Sequence, residues 1–124
     1  MGRSRTFRVN LLRNLDYTVE VVERYSPHSR RTNDLFGFLD VLAVGNNHTI
    51  GIQVTSRGNM ASRRRKMLEE NPDALHRLLN AGWLLEVHGW DQPGGPRTRW
   101  RLLVHRLVDT PDGPDWAIRP YELS

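Results

Sequence analysis

Three oxygen-bearing side chains stand where apolar ones are expected. Asp40 interrupts the run LFGFL-D-VLAV, with apolar or small residues on both sides. Aspartate is depleted in strands. A carboxylate taken out of water must be paired, protonated or bound to a cation. From this residue alone two readings stand: a buried Asp–Arg pair or frayed strand end, or a metal ligand. The next segment bears on the choice. Asn46 and Asn47 suit a tight hairpin turn, because asparagine tolerates positive φ. With those two as the turn residues, Gly45 faces His48 and the register sets Asp40 opposite Gln53. Cross-strand partners have Cβ atoms about 4.5–5.5 Å apart. Thr55, two residues beyond Gln53, shares its face, and Gly51 on that face leaves space. A slip of one residue would separate the group. An acid, an amide and a hydroxyl are hard oxygen donors of the kind Mg²⁺ accepts. The alternative is a polar strand end bonded to backbone or water.

These residues need elements to carry them. Residues 4–15 hold Phe7, Leu11, Leu12 and Leu15 at helical spacing, which predicts an amphipathic helix. Residues 17–25, 35–44 and 48–56 read as three successive strands, with 26–33 as a polar connection. Residues 59–70 are strong helix formers, and Pro72-Asp73 restart a helix that ends at Gly82. Residues 83–90 and 99–108 read as further strands joined by a Gly- and Pro-rich turn. Residues 109–124 hold three prolines and read as a loosely packed tail on or near the domain. The expected fold is α/β, a single domain over 1–108 with a mixed sheet and an extra C-terminal strand.

Length and composition set bounds. The 124 residues give room for one domain. The chain has no cysteine, which excludes disulfides, thiol nucleophiles and Cys-based metal sites. No segment reads as a signal peptide or a membrane span, so a cytoplasmic location is expected. The net charge is +4, and 17 of the 18 basic residues are arginine, the exception being Lys66. Arginine's planar fork matches phosphate oxygens. The first fifteen residues and residues 56–68 carry arginines and no acid. Such a basic face meets nucleic acid or is simply solvated.

At this point the sequence resembles the PD-(D/E)XK nuclease superfamily, in particular small phage-type and Holliday-junction-resolvase-like members. The resemblance covers about residues 5–90 and rests on VER at 22–24, DLFGFLD at 34–40, GIQVTS at 51–56 and ASRRRKM at 61–67. It implies a restriction-endonuclease-like α-β-β-β-α-β core. The family's strand aspartate falls on Asp40, and its acid-x-lysine motif falls on Gln53-Val54-Thr55. The chain departs from the family there, with Gln for the acid and Thr for the lysine. Some branches resemble this variant, with the lysine moved to the following helix, where Lys66 stands. The resemblance thus implies Asp40, Gln53, Thr55, Lys66 and Glu23 as catalytic residues, and Asp40, Gln53 and Glu23 as holding Mg²⁺ or Mn²⁺. Glu20 is the alternative to Glu23, on the opposite face. Asp34 is either a third acid or a partner holding Arg30 or Arg31.

The implied reaction is metal-assisted hydrolysis of a DNA phosphodiester, on branched, Holliday-junction-like DNA, by a homodimer. Arg30, Arg31, Arg57, Arg63, Arg64 and Arg65 are the expected phosphate contacts, and they would bind backbone without reading sequence. Two competing readings stand beside it: a catalytically inactive nucleic-acid-binding module of the same fold, and an interaction protein without nucleic-acid affinity. The five histidines show no paired metal spacing, and no serine-hydrolase pattern appears. Trp83, Trp90 and Trp100 read as core or dimer surface.

Overall fold

The nine residues His48–Ser56, rich in β-branched types, become a central strand covered on both faces. The computed structural model describes residues 16–22, 24–26, 31–92, 94–96 and 99–118. The expected N-terminal helix, Glu23 and Arg30 lie outside them. The strands are β1 (Thr18–Val21), β2 (Arg24–Ser26), β3 (Arg31–Asn33), β4 (Val41–Gly45), β5 (His48–Ser56), β6 (Leu84–Asp91), β7 (Arg101–Thr110) and β8 (Gly113–Ile118). Two helices, α1 (Met60–Glu69) and α2 (Pro72–Asn80), link β5 to β6. Six strands form one mixed sheet in the order β1-β4-β5-β6-β7-β8, while β2 and β3 pair apart as a small ribbon. Among the described residues, only β5 and β6 run parallel. A parallel pair needs a long crossover, and the two helices supply it.

The β4–β5 hairpin turns as its residues dictate. Asn46 and Asn47 both take positive φ, 49° and 63°, as a two-residue turn of this twist requires. The ladder follows from Gly45↔His48 to Val41↔Ile52. Alternation then splits β5 between two apolar layers. Ile50 and Ile52 join Val19, Val41 and Ala43 on one face. Gly51, Gln53 and Thr55 face the other, where Phe38, Leu39, Leu85, Val87 and Leu107 meet Met60, Met67, Leu75 and Leu78 of the helices. The helices are cut by local chemistry. Asn71 caps α2 by accepting from the Ala74 N–H at 3.3 Å, with Pro72 in the first turn. Gly82 ends it at φ 86°, and Trp83 N–H reaches back to Leu78 O at 3.0 Å.

Three expectations need correction. Residues 35–44 are not one strand. Residues 35–39 close on themselves as a tight turn, with Leu35 and Leu39 bonded through both backbone groups and positive φ at Phe36 and Gly37. An extended strand cannot host those angles, so β4 starts at Val41. The strand expected over 17–25 divides into β1 and β2. Val22 N–H donates to Asp40 O as the last rung beside β4, and beyond it the turn at 35–39 has removed the partner. The chain then pairs with residues 31–33, expected as plain connection. Finally, residues 113–118 are no loose tail but β8, paired along β7. Pro114 is tolerated there because β8 is an edge strand, where a missing N–H costs no ladder bond.

Gly89 of β6 lets the helical layer close on the sheet. It pairs with Thr55. A Cβ on it would overlap Met60 Sδ and come within 3.2 Å of Arg57 Cα. The methionine could move, but the backbone at Arg57 could not follow without shifting the start of α1. Gly89→Ala is therefore expected to destabilise the fold by about 1–3 kcal/mol, read as a lower urea midpoint at unchanged slope.

Candidate functional site

Asp40 sits between the tight turn at 35–39 and the start of β4, and its bonds bracket Gln53. Its backbone N–H donates to Ile52 O at 3.0 Å. Its Oδ2 accepts from the Val54 N–H at 3.3 Å. One aspartate thus bonds the residues on both sides of Gln53. The carboxylate takes the place of the backbone acceptor that β4 would supply had it begun earlier. The three residues are buried, Asp40 7%, Gln53 3% and Thr55 7% exposed. Gln53 Oε1 has no hydrogen-bond partner. A buried acceptor in that condition costs about 1–3 kcal/mol, which makes it the least comfortable oxygen of the group.

Gln53 and Thr55 thus share the helix-facing side of β5 near its carboxyl end, while the ladder between β4 and β5 stops at Val41↔Ile52 and Asp40 bonds the backbone on either side of Gln53. Lys66 lies on α1, where its Nζ donates to Asp34 Oδ2 at 3.3 Å. Asp34 and Asp40 stand at the two ends of the 35–39 turn, so the ammonium is anchored at the near end of the same turn. Asp34 thus has Lys66 as a partner, while Arg30, one of its expected partners, lies outside the described residues. Among the described residues, no group of three or more His, Cys, Asp or Glu side chains could hold a metal ion. Glu20 is exposed on β1, the edge strand.

The expected phosphate contacts that are described come from several elements. Arg31 opens β3. Arg57 follows β5 directly and pairs with Asp91 at 3.4 Å. On α1, Arg65 is exposed, while Arg63 and Arg64 are half-buried. Arg64 leans toward β7, and its Nε is buried without a partner. Its charge is felt by His105, whose Nδ1 is also buried and without a partner. Burial first, and Arg64 second, hold His105 below the usual imidazole value of 6.5.

Sequence reasoning passed over a charged cluster on the opposite face. Glu86 and His88 of β6 are fully buried. Glu86 Oε1 lies 2.8 Å from His88 Nε2. Arg106 of β7 donates through both Nε and its terminal nitrogen to Glu86 Oε2, at 2.8 and 2.6 Å. The signal was present: Glu86 and His88 interrupt the apolar run WLLEVHGW at a spacing of two, which puts both on one face. Trp90 packs edge-on against Trp100 and Trp83 against Phe36, at centroid separations of 6.5 and 6.3 Å, as core and surface residues. Among the described residues, no helix is long and apolar enough to cross a membrane. Compared with family models, curated proteins and solved structures, the chain gave no significant match.

Two outcomes follow from these environments. Gln53→Leu keeps the side chain's bulk and removes the orphaned acceptor, so the variant should be about 1 kcal/mol more stable in urea denaturation. His105 takes up a proton near pH 6.5 when unfolded but resists it when folded. Its contribution to stability is therefore full above that pH and is lost as pH falls from there through the lower folded value. Thermal melts of His105→Gln should show a weaker loss between neutral and mildly acidic pH than the parent chain.

Proposed function

We propose that this chain is a Mg²⁺-dependent DNA endonuclease of the PD-(D/E)XK type. The observation that carries the reading is Asp40 bonded to both neighbours of Gln53, whose side-chain oxygen is buried without a partner. The topology supports it. Three antiparallel strands, β1, β4 and β5, lead through a helical crossover to β6, parallel to β5. The restriction-endonuclease-like core implied by the sequence resemblance has that order.

The donor set fits a hard divalent ion in kind, since Asp40, Gln53 and Thr55 are buried residues bearing carboxylate, amide and hydroxyl oxygens. Asp40 and Gln53 would hold the ion, with Thr55 beside them and Glu23 as the further acid. When bound, Mg²⁺ or Mn²⁺ supplies Lewis acidity at the scissile phosphate and a lowered pKa for water. The protein's own residues do the rest. Asp40 fixes the position of β5 while presenting its carboxylate. The apolar layer of Leu39, Val87 and Met60 keeps bulk water off the patch. Lys66 and the arginines at the start of α1 offset charge developing on the phosphate. Water adds to phosphorus, one ester P–O bond breaks, and the leaving oxygen departs as an alcohol after taking a proton. Cutting both strands of a branched duplex calls for two such sites, so the proposal includes a homodimer.

A second reading keeps the fold and loses the chemistry. Thr55 cannot replace a lysine, and Lys66 is engaged by Asp34. On that reading the chain binds nucleic acid without cutting it.

Cleavage of linear duplex, single-stranded and four-way DNA with Mg²⁺ or Mn²⁺ separates the two. Asp40→Asn keeps an acceptor for Val54 and removes the charge. Metal-dependent stabilisation is worth several kcal/mol, so this variant should lose roughly a hundredfold or more in rate while melting as the parent does. Equal cleavage by the variant, or in EDTA, overturns the nuclease reading. Salt-sensitive binding with no cleavage on any substrate selects the second.

A further inference from the structure

Beyond the oxygen patch, the same end of the sheet carries a second built feature. Arg57 begins the turn after β5, Asp91 ends β6, and Arg101 begins β7 directly across from Asp91. All three stand at the carboxyl ends of the parallel pair, where open α/β sheets place ligands. Asp91 Oδ1 accepts from Arg101 Nε at 3.2 Å, and Oδ2 accepts from another nitrogen of Arg101 at 3.0 Å. Arg57 donates to the same Oδ2 at 3.4 Å. One carboxylate therefore aligns two guanidinium groups and leaves the cluster with a net positive charge.

The cluster borders a cleft of about 220 Å³, lined by Arg57, Asp91, Arg101, Leu102 and Leu103. Each guanidinium carries five N–H donors. Asp91 takes two from Arg101 and one from Arg57. The arginine side chains are 47% and 54% exposed, so donors remain open to a ligand. Hydrogen bonds from Arg101 chiefly, then Arg57, hold the Asp91 carboxyl below its ordinary value. The alignment is therefore present at neutral pH.

The lining selects the ligand. Paired planar forks suit tetrahedral phosphate oxygens. A metal cation is repelled by two guanidinium groups. The leucine floor has no use for a free inorganic anion but suits the apolar face of a sugar or base. Distance adds to this. Thr55 lies two residues before Arg57, and its partner Gly89 two before Asp91. Two strand residues span about 7 Å, close to the rise of two base pairs.

We propose that the Arg57–Asp91–Arg101 cleft is a phosphodiester-binding subsite. It seats the nucleic-acid backbone about two base pairs from the oxygen patch, with Asp91 as a positioning residue. The proposal rests on the reading of the chain as DNA-directed and needs no cleavage.

Binding of fluorescent duplex and single-stranded DNA by the full chain, followed by anisotropy in EDTA across a salt series, tests it. Arg57→Gln with Arg101→Gln should weaken binding about tenfold at low salt. It should also reduce the slope of log affinity against log salt by about one, while Arg77→Gln on α2 changes neither. Asp91→Asn should weaken binding although it removes a negative charge, and Asp91→Glu should restore it. Parent-like affinity and slope in the double variant overturn the subsite while leaving DNA binding intact. Tighter binding by Asp91→Asn overturns the positioning role. Failure of the parent chain to bind either DNA at low salt overturns the DNA-directed reading itself, and the subsite with it.

Discussion

The burial of β5 on both faces is the constraint from which the rest of the structure follows. Ile50 and Ile52 fill one apolar layer, while Gly51, Gln53 and Thr55 turn toward the other. A shift by one residue would push isoleucines against the helices and drop polar side chains into the far layer. The two-asparagine turn sets the same register from the other end. With the strand pinned twice, the side chains at 53 and 55 have nowhere else to point. Asp40 then adds a third hold, because its backbone and its carboxylate bond the residues either side of Gln53.

The charges divide by environment. On the face away from the oxygen patch, Glu86 is buried and met by both Arg106 and His88. Such a set is costly to desolvate and costly to break, so it favours one arrangement of β6 against β7 more than it adds net stability. At the sheet's carboxyl end, Asp91 also holds two cationic groups, but in contact with water. There the pairing is worth little as stability, and its effect is geometric. Similar ion pairs thus serve packing in one place and alignment in the other.

Much of this was legible along the chain. The hairpin, β5, α1, α2 and β6 follow from alternation, helical composition, a proline restart and a terminating glycine, all local signals. The segment LFGFL was misleading because its composition is that of a buried strand. Gly37 was the one hint that it turns, and the backbone there is held by contacts distant in sequence: Asn71 donating to Phe36 O and Lys66 to Asp34. Residues 113–118 were obscured by proline, which disfavours a strand only where its N–H is needed. Position at the sheet edge removes that need, and edge position is not a local property.

By itself, the sequence determined the register of the β4–β5 hairpin and the shared face of Gln53 and Thr55, which follow from one turn and a period of two because neighbouring strands are coupled by short-range geometry. Tertiary structure alone decided what surrounds them. Lys66 meets Asp34 across thirty-two residues, and Arg57, Asp91 and Arg101 come together from three elements. Those meetings depend on the order of strands in the sheet and on how the crossover helices close over it. That order is a global choice among packings, made by burial of the apolar layers as a whole, and no window of the chain encodes it.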